Sequence, residues 1–218
     1  MSRIVCDASS LISLSDNCLL WVLQSVGAEF LVPSAVKVEL VDQPLRSRKF
    51  ELKALRIKEF ITRGSVKLVD EDGVKEHAME ITRLANALFK YGSHNVRILH
   101  EGESESIALV KKLKTDALMI DERTTRLLIE DLDGLKSYIQ HRTGFDLKMN
   151  NQVARDLRSQ LEGTSVIRSS ELLAYAFEKG ALDELGGLPA LHASLYGLKF
   201  SGCAITSDEI EEYVKMLG

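Results

Sequence analysis

Short apolar runs alternate with helix-like patterns along most of the chain. Four runs have the length and composition of buried strands: Arg3–Cys6, Glu29–Val32, Val66–Val69 and Ala117–Ile120. Such runs, bounded by polar or turn residues, are typical of strands that are buried on both faces. Val166-Ile167 is a candidate for a last strand. Because helical patterns separate these runs, the order predicts an α/β fold with a central parallel sheet and helices on both of its faces.

The helical segments between the strands follow from apolar spacing and from end signals. Leu11–Val26 reads as one broken helix or two, and Leu45–Thr62 reads as a loosely amphipathic helix. We expect further helices over 35–41, over 79–89 with an end at Gly92, over 103–114, from Asp121 through Leu132, over 171–179 and over 210–217. Thr206 and Glu209 have the spacing of a capping box for the last of these.

The pattern predicts a single domain over residues 1–218. Residues 133–163 are more polar and less periodic, and we interpret them as a helical insertion with one helix near 153–161. C-terminal helices are expected over about 181–218. No internal repeat, low-complexity stretch or linker divides the chain.

The charge of the chain is unevenly distributed. The 218 residues include 28 Lys and Arg against 32 Asp and Glu, which gives a net charge of −4. Residues 42–67 nevertheless carry eight basic and three acidic side chains. A basic segment on an acidic body favours a polyanionic partner, although a solvated helix face would have the same composition.

Several classes of protein are disfavoured by what the sequence lacks. No run is long and apolar enough to span a membrane, and Asp7 interrupts any early signal peptide. Three cysteines without paired spacing fit a reducing compartment, so we expect a cytoplasmic protein. The first strand is followed by no glycine-rich phosphate loop, the chain has no Gly-x-Ser-x-Gly motif, and its five histidines lack metal-ligand spacing.

Two acids stand directly after predicted strands. Asp7 ends the first strand and Asp121 ends the fourth. Since the carboxyl ends of parallel strands open onto one crevice, we expect the two side chains to lie near each other. Adjacent carboxylates repel unless a cation intervenes, and Mg²⁺ and Mn²⁺ prefer such oxygen ligands. Each acid could instead cap the helix that follows it.

Other acids lie near apolar positions. Glu101, Glu103 and Glu105 open a predicted helix, where the helix dipole alone favours acids. Glu105 falls near the core-facing stripe, where a buried carboxylate needs a partner. Glu39 also has apolar neighbours, although an exposed position on its helix would explain it equally.

Taken in order, four blocks and a later one resemble the PIN domain. The resemblance covers about residues 3–132 and resumes over 166–180. It rests on residues 4–9 (IVCDAS), 32–41 (VPSAVKVELV), 102–109 (GESESIAL), 117–123 (ALMIDER) with Arg126, and 166–173 (VIRSSELL).

This resemblance implies a three-layer α/β/α sandwich and a metal-dependent ribonuclease that uses Mg²⁺ or Mn²⁺. By matched position, the implied catalytic acids are Asp7, Glu39, Glu105 and Asp121. The implied metal ligands are Asp7, Glu105 and Asp121. Glu103 and Glu122 are alternates, and Ser9 would orient the first acid through a hydrogen bond.

RNA is the expected partner. Arg46, Arg48, Lys49 and Lys53 in the basic segment, together with Arg126, are the predicted RNA-binding residues. Helices comparable to the basic segment tend to take part in dimerisation in small PIN toxins, so a homodimer is left open. An antitoxin-like partner is left open but disfavoured, because the chain is longer than the compact toxins.

Two departures from the family pattern keep alternatives open. Glu122 stands where the second of two paired aspartates is usual, and Arg168-Ser169-Ser170 replaces a Gly-Thr block. A catalytically weak RNA-binding or assembly module is therefore the main alternative. A phosphatase or a receiver-like domain is a third, although we identify no lysine near the end of a later strand to favour a receiver.

Overall fold

Eight strands and twelve helices form the fold in a computed structural model that describes residues 1–218. The strands are β1 (Arg3–Cys6), β2 (Glu29–Pro33), β3 (Lys67–Val69), β4 (Phe89–Tyr91), β5 (His94–Asn95), β6 (Ala117–Met119), β7 (Lys148–Met149) and β8 (Val166–Ile167). The helices of the first half are α1 (Ala8–Asp16), α2 (Val22–Ser25), α3 (Ser34–Lys37), α4 (Glu51–Thr62), α5 (Val74–Ala85) and α6 (Glu101–Leu113). Those of the second half are α7 (Arg123–Glu130), α8 (Leu132–Thr143), α9 (Asn151–Leu161), α10 (Ser169–Glu178), α11 (Leu188–Phe200) and α12 (Ser207–Leu217).

Five parallel strands form the central sheet in the order β3-β2-β1-β6-β8. Val5 of β1 pairs with Leu31 on one side and with Leu118 on the other. The chain moves outward from β1 through β2 and β3, and then crosses to β6 on the opposite side. The strand order therefore reverses next to β1, which is where ligands bind in open α/β sheets.

Alternate strand residues face opposite sides of the sheet and build two separate cores. Ile4 and Cys6 belong to one apolar cluster of 27 buried residues, whereas Val5 belongs to another of 25. The first cluster includes side chains of α1, α10 and α11, and the second includes those of α5, α6 and α9. This arrangement confirms the predicted α/β/α sandwich with a parallel sheet.

The predicted helix over 79–89 ends earlier than expected. The helix stops at Ala85, and Phe89–Tyr91 forms β4, which pairs antiparallel with β5 and with β7. Tyr91 pairs with His94 across a two-residue loop in which Gly92 has a φ of 59°. Gly92 thus turns a hairpin and does not end a helix, because its left-handed backbone suits a tight turn between strands.

The expected helix over 45–62 also differs at its start. Pro44–Arg46 forms a short 3₁₀ turn, and the α-helix begins only at Glu51. The insertion at 133–163 contains most of α8 and the whole of α9, together with β7, which adds the third strand to the small antiparallel sheet.

Residues of the C-terminal helices contribute to the same core as β1. Leu191, Leu195 and Ile210 are buried in the cluster that contains Ile4 and Cys6. The C-terminal helices and β1 therefore share one apolar core, and a single domain over residues 1–218 stays a prediction. The expected capping box is present, since Thr206 and Glu209 bond reciprocally at the start of α12. None of the helices combines the length and the apolar character that a bilayer span requires.

Candidate functional site

Asp7 lies at the carboxyl end of the central strand, next to the point where the strand order reverses. Its backbone N–H donates to Met119 O of β6 at 2.9 Å. Only 3% of the residue is exposed, yet its Oδ2 atom accepts from Ser9 N at 2.9 Å and from Ser9 Oγ at 2.8 Å. Asp7 therefore caps α1 through its Oδ2 atom.

Ser9 connects the ends of β1 and β6. Its hydroxyl donates to Asp7 and accepts from the backbone N–H of Asp121 at 3.1 Å. The hydrogen bond between Ser9 and Asp7 that the sequence predicted is thus present. Burial raises the pKa of Asp7, the bonds from Ser9 oppose this shift, and the negative charge of Glu122 adds to it.

Glu103 lies on the first turn of α6. Its Oε2 atom accepts from His100 N at 2.7 Å, and its Oε1 atom accepts from Thr125 Oγ1 at 3.0 Å. Burial, together with the charges of Asp7 and Glu122, raises the pKa of Glu103 to about 7, although the hydrogen bonds from His100 and Thr125 oppose this shift. Glu103 therefore shares an electrostatic environment with both of these acids.

Glu122 caps α7, and Thr125 hydrogen-bonds to both Glu122 and Glu103. Its Oε2 atom accepts from Thr125 N at 2.7 Å, while the hydroxyl of Thr125 donates to Glu103. The side chain is only partly buried, and it lines a cavity of about 340 Å³. Thr125 thus orients two acids at once.

Glu39 lies on a π-helical turn, Val38–Asp42, that continues α3. Such turns are rare and occur frequently at functional sites. The side chain is accessible to solvent, although partial burial and the charge of Asp7 raise its pKa. A Cβ atom placed on Gly102 would lie 3.0 Å from Glu39 Oε2, so the carboxylate lies against the start of α6.

These four acids form what we call the acid cluster: Asp7, Glu39, Glu103 and Glu122. Each of Glu39, Glu103 and Glu122 is electrostatically linked to Asp7. No lysine or arginine lies within ion-pair distance of any of the four. The cluster is therefore a concentration of negative charge without a protein counter-charge.

Asp121 and Glu105, which the resemblance implied as catalytic acids and metal ligands, both accept hydrogen bonds at the start of a helix. Asp121 is fully buried, and its two oxygens accept from Ser169 N at 2.7 Å and from Ser169 Oγ at 2.6 Å, which caps α10. Glu105 is also buried, and its Oε2 atom accepts from Ala35 N at 2.9 Å at the start of α3. Both carboxylates point into the protein because helix N-termini hold them there.

The assignment of Asp7, Glu105 and Asp121 as metal ligands stays a prediction, although both oxygens of Asp121 and one oxygen of Glu105 already accept hydrogen bonds from the protein. In addition, no three His, Cys, Asp or Glu side chains of the structure converge as a metal-binding set. The acid cluster nevertheless fits a divalent cation by its chemistry, because carboxylate oxygens are hard ligands and none of the four acids forms an ion pair with a basic side chain. Glu103 and Glu122 are the members that the resemblance gave only as alternates.

Some of the predicted RNA-binding residues already form ion pairs with acidic side chains of the protein. Lys53 pairs with Asp16 at 2.7 Å, and Arg126, whose side chain is 21% exposed, lies 3.5 Å from Glu130. Arg48 is almost fully exposed and lies 3.7 Å from Glu51. Arg46 and Lys49 are exposed and form no ion pair with an acid. Lys53 and Arg126 thus have carboxylate partners within the protein.

Two cavities flank the acid cluster. One of about 490 Å³ is lined by Glu39 together with Arg97 and His100, and the other, of about 340 Å³, is lined by Glu122 together with Arg123, Tyr138 and Arg142. A larger cavity of about 530 Å³ between α5 and α6 includes Glu105 but no member of the cluster.

The sequence did not identify the basic residues of these cavities as binding residues. Arg97 stands in a polar stretch without a motif, and Arg142 lies in the insertion. Arg123 did carry a signal, since it belongs to one of the blocks of the resemblance.

Comparison with known families agrees with the resemblance. A sequence model described as PIN domain matches residues 3–133, which is more than half of the chain. No curated protein and no solved structure matches the chain significantly.

Proposed function

Because the chain belongs to the PIN-domain family, whose members are generally nucleases, we propose that it is a metal-dependent ribonuclease. The reaction is hydrolysis of an RNA phosphodiester bond at the acid cluster. The observation that carries this proposal is that burial raises the pKa values of Asp7, Glu39 and Glu103, and negative charges within the acid cluster add to each shift. No basic side chain forms an ion pair with any of the four acids.

The acid cluster requires a cation before an RNA phosphate can approach. Negative charges on both sides would otherwise repel the substrate, so Mg²⁺ or Mn²⁺ contributes to binding as well as to chemistry. Asp7, Glu39, Glu103 and Glu122 would hold the ion. A bound ion of this kind neutralises phosphate oxygens and lowers the pKa of water for attack.

The other residues of the site position these acids. Ser9 fixes the Oδ2 atom of Asp7 through its backbone N–H and its hydroxyl. Thr125 holds Glu103 and Glu122 through its hydroxyl and its backbone N–H, respectively. Fixed acids lose little freedom on binding, which favours a defined position for the reacting phosphate.

A catalytically weak RNA-binding or assembly module is the second candidate. One observation favours it, namely that no three acidic side chains converge as they stand. This candidate predicts salt-dependent RNA binding without turnover under any divalent ion. Family membership gives no support to a phosphatase or a receiver domain.

Interactions with other protein chains remain predictions. The exposed apolar side chains of the basic segment, Phe50, Leu52 and Leu55, are compatible with the homodimer that the sequence left open. An antitoxin-like partner remains disfavoured for the reason given from chain length.

Cleavage of single-stranded RNA by the purified protein tests the proposal. We expect cleavage with Mn²⁺ or Mg²⁺, none with EDTA, and a loss of at least about 100-fold in Asp7→Asn. Asp146→Asn is the matched control, because Asp146 is exposed and makes no hydrogen bond or ion pair through its side chain. Undiminished cleavage by folded Asp7→Asn would overturn the site, whereas RNA binding without cleavage would favour the second candidate.

A further inference from the structure

We infer that the cavity beside Glu122 is a nucleotide subsite, in which Arg123, Tyr138 and Arg142 bind the RNA strand next to the scissile bond. The inference rests on the proposed function for the identity of the ligand as RNA. The cavity has a volume of about 340 Å³, and Glu122 of the acid cluster forms part of its wall. A strand whose phosphate lies at the cluster can therefore extend into this cavity.

Two guanidinium groups meet around one aromatic ring in the cavity. The Arg123 Cζ atom lies 5.3 Å from the centre of the Tyr138 ring, and Arg142 Nη1 donates to Tyr138 Oη at 3.3 Å. Both arginines are exposed, and neither forms an ion pair with an acid. Two like charges beside the same side chain gain by binding an anion between or beside them.

Arg123 and Arg142 differ from Lys53 and Arg126, two of the RNA-binding residues predicted from the sequence, because they have no acidic partner. Lys53 and Arg126 already have acidic partners, so an RNA phosphate would have to compete with Asp16 and Glu130. Arg123 and Arg142 have no such competition. Tyr138 adds an aromatic surface, and stacking of bases on aromatic rings is a common mode of single-strand recognition.

The subsite is built from parts of the chain that lie largely outside the matched PIN segment. Tyr138 and Arg142 belong to α8 in the insertion, and the opposite wall consists of Gly202, Ala204, Ile205 and Thr206, between α11 and α12. Only Glu122 and Arg123 belong to residues 3–133. The insertion and the C-terminal helices thus have a shared functional role: they extend the site on the side of Glu122.

The test measures binding of a short fluorescein-labelled single-stranded RNA by anisotropy in CaCl₂, over a series of salt concentrations, because Ca²⁺ binds carboxylate oxygens and can neutralise the acid cluster. Arg123→Ala and Arg142→Ala are each expected to weaken binding about five- to tenfold and to lower the salt slope by about 1. Tyr138→Phe keeps the ring but removes the hydroxyl that holds Arg142, so we expect a smaller loss. Arg142→Lys keeps the charge and should restore part of the binding.

Arg155→Ala is the matched control for the loss of one positive charge. Arg155 is an exposed arginine of α9 that forms no ion pair and does not line the cavity. Binding by Arg155→Ala should equal that of the wild type. The subsite would be overturned if Arg123→Ala and Arg142→Ala both bound RNA as tightly as the wild type. It would also be overturned if Arg155→Ala lost as much affinity as they do, or if the wild type bound no RNA.

Failure of the subsite and failure of the proposed function give different results. If the wild type cleaves RNA while the two alanine variants bind and cleave normally, the subsite is wrong and the nuclease activity stands. If RNA binding depends on Arg123 and Arg142 but no divalent ion supports cleavage, the subsite stands and the proposed activity is wrong.

Discussion

Thr125 donates its hydroxyl to Glu103 Oε1 at 3.0 Å. The backbone N–H of the same residue lies 2.7 Å from Glu122 Oε2, so one buried threonine connects the first turn of α6 with the first turn of α7. Thr125 thus links two members of the acid cluster that belong to different helices, Glu103 on α6 and Glu122 at the start of α7. It positions the site without belonging to the cluster.

Thr125→Val should therefore slow RNA cleavage strongly while lowering the free energy of unfolding only slightly. Valine keeps the shape of threonine but cannot donate to Glu103, and residues that orient ligand groups typically change activity about 10- to 100-fold. The free energy of unfolding should fall by only about 1 kcal/mol, the net value of one hydrogen bond. Initial rates of RNA cleavage and urea unfolding measure the two effects.

Thr124→Val is the control for that substitution. Thr124 precedes Thr125 on α7, and its side chain makes no hydrogen bond. Cleavage by Thr124→Val should remain within about twofold of the wild type. Equal rates for Thr125→Val and the wild type would show that Thr125 does not position the acids.

The second prediction concerns Asp121, because both of its carboxylate oxygens accept hydrogen bonds from Ser169. Asp121→Ala should lower the free energy of unfolding by about 2–4 kcal/mol, since it leaves buried donors at α10 without an acceptor. Asp121→Asn can still accept from the backbone N–H and can donate to the hydroxyl. We expect it to retain most of the stability and to cleave RNA within about fivefold of the wild type.

The comparison with Asp7→Asn decides between two roles for Asp121. If Asp121 were a metal ligand as Asp7 is proposed to be, RNA cleavage would be lost in both Asp7→Asn and Asp121→Asn. Loss of cleavage in well-folded Asp121→Asn, to the level of Asp7→Asn, would therefore contradict the structural role that we assign to Asp121.

Divalent ions should raise the melting temperature of the protein. An ion that binds the folded state and not the unfolded state stabilises it, and here it would also relieve repulsion within the acid cluster. Thermal unfolding in MgCl₂ or MnCl₂ should show a higher Tm than in EDTA. The increase should be smaller in Glu39→Gln and unchanged in Asp146→Asn; an equal increase in all three proteins would indicate binding elsewhere.

Glu171 makes the stability depend on pH. Burial raises the pKa of Glu171, but hydrogen bonds and the charge of Arg168 outweigh this effect, so the folded-state pKa lies below its ordinary value. A lowered pKa stabilises the fold above the unfolded-state pKa, and this contribution is lost as pH falls through the folded-state value. The window therefore lies below about pH 4.5.

Glu171→Gln removes that contribution and serves as its test. At pH 7 we expect the variant to be about 1–2 kcal/mol less stable in urea unfolding, because Arg168 keeps Glu209 as a partner. The difference from the wild type should shrink as pH falls below 4.5. A difference that is constant with pH would show that the ion pair does not contribute as described.

The sequence predicted the central sheet well for a simple physical reason. Parallel strands buried on both faces must be apolar throughout, so runs such as Arg3–Cys6 and Ala117–Ile120 stand out. The hairpin β4–β5 was missed because Phe89 continues the apolar spacing of α5, and a local pattern cannot show that Phe89 pairs with Met149. That pairing depends on the insertion, which is distant in sequence.

The acid cluster was only partly predictable. The resemblance implied Asp7, Glu39, Glu105 and Asp121, with Glu103 and Glu122 as alternates, whereas the site that we propose contains Asp7, Glu39, Glu103 and Glu122. Residues two apart on a helix point about 200° apart, so only one of Glu103 and Glu105 can face Asp7. Which one does so depends on the rotation of α6, and the bond from Ala35 to Glu105 becomes visible only in the fold.

The most direct test of the account compares Glu103→Gln with Glu105→Gln in Mn²⁺-dependent cleavage of RNA, with rates corrected for the folded fraction. Glu103 belongs to the acid cluster and Glu105 caps α3, so Glu103→Gln should lose at least about 100-fold and Glu105→Gln less than about tenfold. Full activity in Glu103→Gln together with loss in Glu105→Gln would contradict the site that we propose.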